Sequence, residues 1–391
     1  MKINVKEMAY EDVLKLPRLK HKTPLKPQMW LATIVRIVCE FTLRHIKFSY
    51  TTERMELVKD QPCLILMNHS SFTDMSLIKD IKYMLEKNKT SVLMYPEAGY
   101  SFDGCATTMP KRLGVLMKRL GVPVVTVITQ GAFHRDPLYN MLQIRDVKVS
   151  AHVKCIATAE EVREKSVEEL DALLEESFSF DNFAWQRDNK IVIDAPFRAD
   201  GLHRILYKCP HCGAENQMEG KGISLTCHAC GKQWEMNVYG QLEAKDGKTE
   251  IPHIPDWYHW QRECVRKEIE NGTYLLDTDV EIMIQVNLNG VCKIGNGHLI
   301  HNEEGFHLVG AEGKLDYKQP PTFSHTLYAD YYWYEIGDVI GIGDNTFSYF
   351  CFPKGNVSVT KARLATEELF KMKRKRRRSE KDKLEAAVSN I

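Results

Sequence analysis

The spacing of apolar positions divides the chain into stretches of different rhythm. Residues 63–67 (CLILM) form a short, continuously apolar run, which predicts a buried strand. Over 76–88 the apolar positions Leu77, Ile78, Ile81, Met84 and Leu85 fall at helical spacing. Two more strand-like runs follow at 91–95 (SVLMY) and 122–128 (VPVVTVI), with a helix expected at about 111–120 between them. Strand, helix, strand, helix, strand in this order predicts a parallel sheet with right-handed crossovers. A further strand is expected at 147–156. Val162, Val167, Leu170, Leu173 and Leu174 then line one side of a helix spanning about 159–177. From 279 to 352 the pattern becomes a series of strands: VEIMIQVNL, GHLIH, GFHLVG, TLYADYYWYEI, VIGIG and FSYFCF. Asn289-Gly290, Glu304-Gly305 and Gly343-Asp344-Asn345 are the turn signals between them, and a helix at about 359–373 closes the region.

One apolar stretch stands apart. In Trp30 to Ile46 the charged residues Arg36, Glu40 and Arg44 recur every four positions and so share one helix face. A bilayer span needs about 20 mostly apolar residues, and this segment is too polar along that stripe. Periodicity alone leaves two placements open. One is a helix lying in a membrane interface with Trp30 and the basic residues at the headgroups; the other is a buried amphipathic helix of the core.

A length of 391 residues allows two or three domains, and an apolar share of 43% suffices for their cores. The net charge of +1 excludes a polyelectrolyte, yet Lys371, Lys373, Arg374, Lys375, Arg376, Arg377 and Arg378 form a dense basic block. Met1-Lys2-Ile3-Asn4 leads into charged residues, not the apolar core of a signal peptide. Most of the eleven cysteines are scattered through apolar stretches. Together these features set the expectation of a reducing compartment, the cytosol.

Four of the cysteines are arranged differently. Cys209-Pro210-His211-Cys212 and Cys227-His228-Ala229-Cys230 are two CxxC pairs separated by fourteen residues, enough for a hairpin. Gly213 and Gly231 each follow a second cysteine, where a tight turn is needed. Four thiolates at this spacing can surround one Zn²⁺ and leave no open position, so a structural zinc ribbon at about 205–240 is expected. His211 and His228 are read as neighbours of the site, not ligands.

The remaining candidate chemistry lies among the first strands. Asn68-His69-Ser70-Ser71-Phe72-Thr73-Asp74 follows the first strand directly, and Tyr95-Pro96-Glu97-Ala98-Gly99-Tyr100-Ser101 follows the second. Pro110-Lys111-Arg112-Leu113-Gly114 comes next, and Gly121-Val122-Pro123-Val124-Val125 opens the third. In an open α/β sheet, ligands bind beyond the carboxyl ends of the strands, where both of the first two blocks fall. A histidine can take a proton from an attacking hydroxyl at neutral pH, and a carboxylate can fix its tautomer. The plainer reading of Asp74 is a helix N-cap.

Over about residues 25–160 these four blocks, in this order, resemble the 1-acylglycerol-3-phosphate acyltransferase family. The resemblance implies His69 as general base, Asp74 as its partner, and acyl-CoA or acyl-carrier protein as donor. It also implies that Glu97, with Gly99 and Ser101 in the same block, helps to bind the acceptor. Two departures are visible. Only Met75 to Tyr95 separate the first two blocks, where the family has several tens of residues, and Tyr100 stands where the family has an arginine. Lys111 and Arg112, at a helix start, are the substitutes for phosphate binding, against a plain reading as a solvated helix end.

The expectation is an α/β chain: an acyltransferase-like, mostly parallel sheet with an N-terminal amphipathic helix (1–195), a zinc ribbon (205–240), a β-rich domain closed by a helix (250–375) and a charged tail (376–391). The order of elements in the third part resembles a pleckstrin-homology-like barrel. The expected function is transfer of a fatty acyl group to the hydroxyl of a lysophospholipid or related lipid alcohol, by a cytoplasmic protein peripheral at a membrane. Membrane lipid and the acyl donor are the expected partners. The alternatives are a catalytically impaired lipid-binding or scaffold protein and a zinc-ribbon protein associated with nucleic acid. The last is disfavoured because Glu215, Glu219 and Glu235 offset Lys208, Lys221 and Lys232 in the ribbon.

Overall fold

The computed structural model describes residues 3–17, 23, 25–26, 28–58, 60–68, 78–97, 99–107, 109–287, 290–344 and 346–388. The chain forms two compact units. One comprises His21–Arg198 with Met236–Gln241; the other comprises Met1–Lys20, Ala199–Glu235 and Leu242–Ile391. Strand β1 (Val5–Glu7) and helix α1 (Tyr10–Leu14) belong to the second.

The first unit begins with α2 (Met29–His45) and β2 (Ser49–Glu53), and continues through β3 (Leu64–Met67), α3 (Ile78–Glu86), β4 (Val92–Met94), α4 (Leu113–Leu120), β5 (Val124–Gln130), α5 (Ala132–Arg135), β6 (Ser150–Ala157), α6 (Ala159–Glu164), α7 (Val167–Ser177) and α8 (Asn182–Asp188). Its sheet has the order β2-β6-β5-β3-β4. The pairs β3–β4, β3–β5 and β2–β6 are parallel, and β5–β6 is antiparallel. Strand side chains alternate between two cores, as the pleat requires. Leu64, Leu66, Met94, Val124 and Ile156 pack with Ile81 and Leu85 of α3, Met117 and Leu120 of α4, Val162 of α6, and Leu170 and Leu174 of α7. Cys63, Val125 and Cys155 turn the other way, onto Val58.

Two expectations need correction. The helix expected over 159–177 is two helices. Ser166 and Glu169 form a capping box, with the Glu169 amide donating to Ser166 Oγ at 3.1 Å and the Ser166 amide donating to Glu169 Oε2 at 2.7 Å. That closes a new N-terminus and leaves Lys165 extended (ψ 149°). The placement of 30–46 as a buried core helix is also overturned, since every residue of α2 is exposed, Trp30 by 62% and Phe41 by 68%. Its polar stripe carries an ion pair, Arg44 to Glu40 at 2.7 Å. Among the described residues, no helix is long and apolar enough to cross a membrane.

The second unit holds two sheets. The small one, β7 (Met218–Lys221), β8 (Ser224–Cys227), β9 (Gln233–Met236) and β10 (Leu242–Ala244), is ordered β10-β9-β8-β7. Helix α9 (Ile254–Glu270) follows. The large sheet contains β11 (Leu276–Asn287), β12 (Gly290–Asn302), β13 (Gly305–Gly310), β14 (Leu315–Gln319), β15 (Tyr328–Trp333), β16 (Gly337–Gly343) and β17 (Ser348–Pro353). Its order is β14-β13-β12-β11-β17-β16-β15, antiparallel throughout, with β1 added in parallel to β12. It is thus a four-strand and a three-strand meander joined through β11 and β17. Gly297 and Gly310 pair directly across β12 and β13, and Ile282 fills the space where side chains would stand. Strand β14 (LDYKQ) was not expected from the sequence; its short alternation is weak beside its neighbours. Helix α10 (Val359–Val388) runs well past residue 373. Its packed part ends near Leu369, and the basic block continues the same helix.

Candidate functional site

The four paired cysteines lie together. Each CxxC pair is a tight turn: the Gly213 amide donates to the Cys209 carbonyl at 2.9 Å, and the Gly231 amide to the Cys227 carbonyl at 2.8 Å. Both glycines have positive φ (77° and 75°), which their lack of Cβ permits. The β7–β8 hairpin returns the second pair to the first, so Cys209 Sγ is 3.9 Å from Cys230 Sγ and Cys212 Sγ is 3.8 Å from Cys227 Sγ. All four sulfurs lie within 4.8 Å of one another. A tetrahedron with metal–sulfur bonds of about 2.3 Å has edges of about 3.8 Å, so the donor set fits a tetrahedral, thiophilic ion. Burial pushes the Cys209 thiol up, while the Ala214 amide holds Cys212 down. His211 and His228 pair instead with Glu250 (2.9 Å) and Glu219 (3.0 Å).

The surroundings of this cluster are fastened by residues that the sequence did not single out. Trp257 and Gln261 of α9 hold the backbone of 205–208 just ahead of Cys209: Trp257 Nε1 donates to the Lys208 carbonyl (2.9 Å), and Gln261 Nε2 to that of Ile205 (2.8 Å). Lys361 of α10 pairs with Glu215 and Glu268, each at 2.7 Å, and Lys208 pairs with Glu215 at 2.9 Å. These contacts bridge large sequence separations, and no local motif encodes them.

In the first unit, β3 and β4 are parallel neighbours in register Leu64↔Val92 to Leu66↔Met94. Their carboxyl ends therefore leave the sheet at one edge. Asn68 ties that end of β3 to β5: its Oδ1 accepts from the Thr129 amide (2.8 Å) and its Nδ2 donates to the Thr129 carbonyl (3.3 Å). His69 and Asp74 lie outside the described residues.

The block after β4 is well fastened. Glu97 is 2% exposed, and its Oε1 accepts from the Thr107 amide at 2.7 Å. Ser101 Oγ donates to the Cys105 carbonyl at 2.6 Å, and Asp103 Oδ1 accepts the Cys105 amide at 3.2 Å. Glu97 and Ser101 thus both brace the 97–107 loop, in which Gly99 is half-buried and Tyr100 is at the surface. Thr107 is the partner that sequence reasoning missed, and nothing in its surroundings in sequence points to it. Lys111 and Arg112 are exposed at the start of α4. The Gly114 amide of that first turn is already taken by Asp171 Oδ1 of α7, at 2.7 Å. His134 is buried with Nε2 2.8 Å from the Asn182 carbonyl, and burial pushes its pKa down to about 4, so it is a neutral fastening within the fold.

No family model and no curated protein matches the chain. Among solved structures, it is similar to the 1-acyl-sn-glycerophosphate (LPA) acyltransferase, PlsC, from Thermotoga maritima. The two share 19% identity over 36% of this chain and 79% of that one, with a TM-score of 0.24, a likeness too slight to carry an argument.

Proposed function

We infer that the chain is an O-acyltransferase. It would move a fatty acyl group from acyl-CoA or acyl-carrier protein to the hydroxyl of a lysophospholipid or related lipid alcohol at a membrane surface. The observation that supports this reading is the parallel pairing of β3 with β4, so that Met67 and Met94, after which the His69 and Glu97 blocks follow in sequence, end their strands on the same side of the sheet. His69 is the base that takes the hydroxyl proton as the alcohol attacks the thioester carbonyl, and Asp74 steadies the resulting imidazolium. The leaving thiolate recovers the proton from His69. Glu97 acts on the acceptor through the loop it braces, with Gly99 and Ser101 in the same loop and Lys111 and Arg112 at the next helix. The four cysteines hold a structural Zn²⁺, which binds ligand atoms only and takes no part in transfer. The exposed apolar surface of α2 supports attachment at the membrane interface without a span. The four-plus-three strand order with a closing helix supports a pleckstrin-homology-like fold for the C-terminal sheet.

The test is acyl transfer by purified protein to lysophospholipid in vesicles. His69→Ala should lower turnover by about 100- to 10,000-fold with metal content and fold unchanged. A second reading, a lipid-binding protein with an impaired site, is favoured by the short Met75–Tyr95 segment and by Tyr100 in place of an arginine. Wild-type protein that binds the lipid but turns over no donor with any acceptor would decide for it.

A further inference from the structure

We propose that Thr51, His152 and Glu53 form a second reaction centre, at which the Thr51 hydroxyl takes an acyl group from a thioester. Strands β2 and β6 run parallel, with Thr51 beside His152 and Glu53 beside Lys154. Residues two apart on a strand share a face, so Thr51 and Glu53 reach the same imidazole from one strand. Thr51 Oγ1 is 3.0 Å from His152 Nδ1, and His152 Nε2 is 3.2 Å from Glu53 Oε2. Lys154 Nζ stands 3.0 Å from Glu53 Oε1, and its hydrogen bond holds that carboxyl below the ordinary range. An ionised carboxylate can only accept, so in the neutral ring Nε2 carries the proton and Nδ1 turns its lone pair to the Thr51 hydroxyl. Nucleophile, base and orienting carboxylate therefore stand in the order that activates a hydroxyl.

This centre is separate from the His69 block. Three strand steps in the order β2-β6-β5-β3 put Thr51 about 14 Å from β3. Strand β2 is the edge of its sheet and Thr51 is exposed, while the His152 and Glu53 side chains are 44% and 45% exposed, so a bulky donor can approach. On an open face water, not a set of aimed donors, answers the developing oxyanion. The acyl group must then arrive already activated, on a group that leaves readily as an anion, which a thioester provides and an amide does not. The choice of acyl-CoA rests on the donor class of the reading above. Thr51 Oγ1 attacks the thioester carbonyl carbon as its proton passes to His152 Nδ1. The C–S bond then breaks, the leaving thiolate takes that proton from the imidazolium, and an ester remains on Thr51.

The experiment is incubation of the full-length, metal-loaded protein with octanoyl-CoA, followed by peptide mass spectrometry after neutral hydroxylamine has removed thioesters from cysteines. An octanoyl ester should form on Thr51 and not on Thr52, which is also exposed but points to the opposite face of β2. His152→Gln should slow its formation by at least about 100-fold, the usual cost of losing a general base. Thr51→Val should abolish it, and Thr51→Ser should restore it at the same position. No ester on Thr51 overturns the proposal, as does one that forms equally fast in His152→Gln or that spreads evenly over Thr51 and Thr52. His69→Ala should leave the ester intact, and its loss in that variant would overturn a separate centre. A Thr51 ester in a protein that transfers no acyl group to lysophospholipid supports this centre and counts against the His69 reading alone.

Discussion

The indole N–H of Trp257 donates to the carbonyl oxygen of Lys208 at 2.9 Å, one residue before the first cysteine of the cluster. The same indole meets Trp234 edge-on at 5.1 Å, so a single side chain of α9 touches both the backbone entering the first CxxC pair and the core of the small sheet. Gln261 receives the Lys208 amide at 3.0 Å one turn later. Trp257→Phe keeps a ring in place and removes the donor, leaving a carbonyl unpaired. It should cost about 1–3 kcal/mol in urea unfolding and hasten metal loss to a chelator. Unchanged stability and unchanged metal release would show that α9 packs beside the cluster without fastening it.

The cluster itself should hold one Zn²⁺ per chain. Metal analysis of protein purified without added zinc reads the ratio directly. Cys227→Ser should release the metal and unfold the 205–240 segment, because binding free energy at such a site is folding free energy. Cys39, exposed on α2, should tolerate the same change. A 205–240 segment that stays folded without metal would refute the structural role.

Glu367 predicts a pH dependence. It is buried in α10 and paired with Arg262 at 2.7 Å and with Arg363 at 3.2 Å. Burial alone would raise its carboxyl, but the two guanidinium groups outweigh burial and hold the pKa at about 2, below the ordinary 4.5. The folded form therefore binds this proton less readily than the unfolded chain does. The stabilisation is present above pH 4.5 and is lost as pH falls toward 2. Glu367→Gln should cost about 3–5 kcal/mol at neutral pH and flatten that acid limb in denaturant titrations. An acid limb that is the same in the variant would assign it to other carboxylates.

Gly114 should not accept a side chain. A Cβ there would stand 2.5 Å from the Val167 carbonyl oxygen, a backbone atom, and 3.1 Å from Leu170 Cβ. Gly114→Ala should push α4 away from α7 and stretch the Gly114 to Asp171 hydrogen bond. The expected cost is about 1–3 kcal/mol, read as a lower thermal midpoint, despite the better helix propensity of alanine. A neutral or stabilising effect would mean that the two helices separate freely.

Much of this protein is legible in one dimension. Strands β3 to β6, helices α3 and α4, most of the C-terminal strands and the closing helix follow from apolar spacing, because burial on one face imposes a period of two or 3.6. The CxxC pairs and their glycines announce the cysteine cluster, since four ligands and two tight turns need those residues at that spacing. The break between α6 and α7 was legible too, in the Ser166 to Glu169 capping box, but helical periodicity across it was the louder signal. What the sequence could not decide is which distant residues meet. The antiparallel entry of β6, the edge position of β2, the hold of Thr107 on Glu97, the capture of the Gly114 amide by Asp171 and the grip of Trp257 on Lys208 each join segments far outside a local window or depend on strand order. Local propensity records the shape of an element, whereas a buried carboxylate or amide takes whatever partner the packed chain brings within about 3 Å, and only the tertiary structure makes that choice.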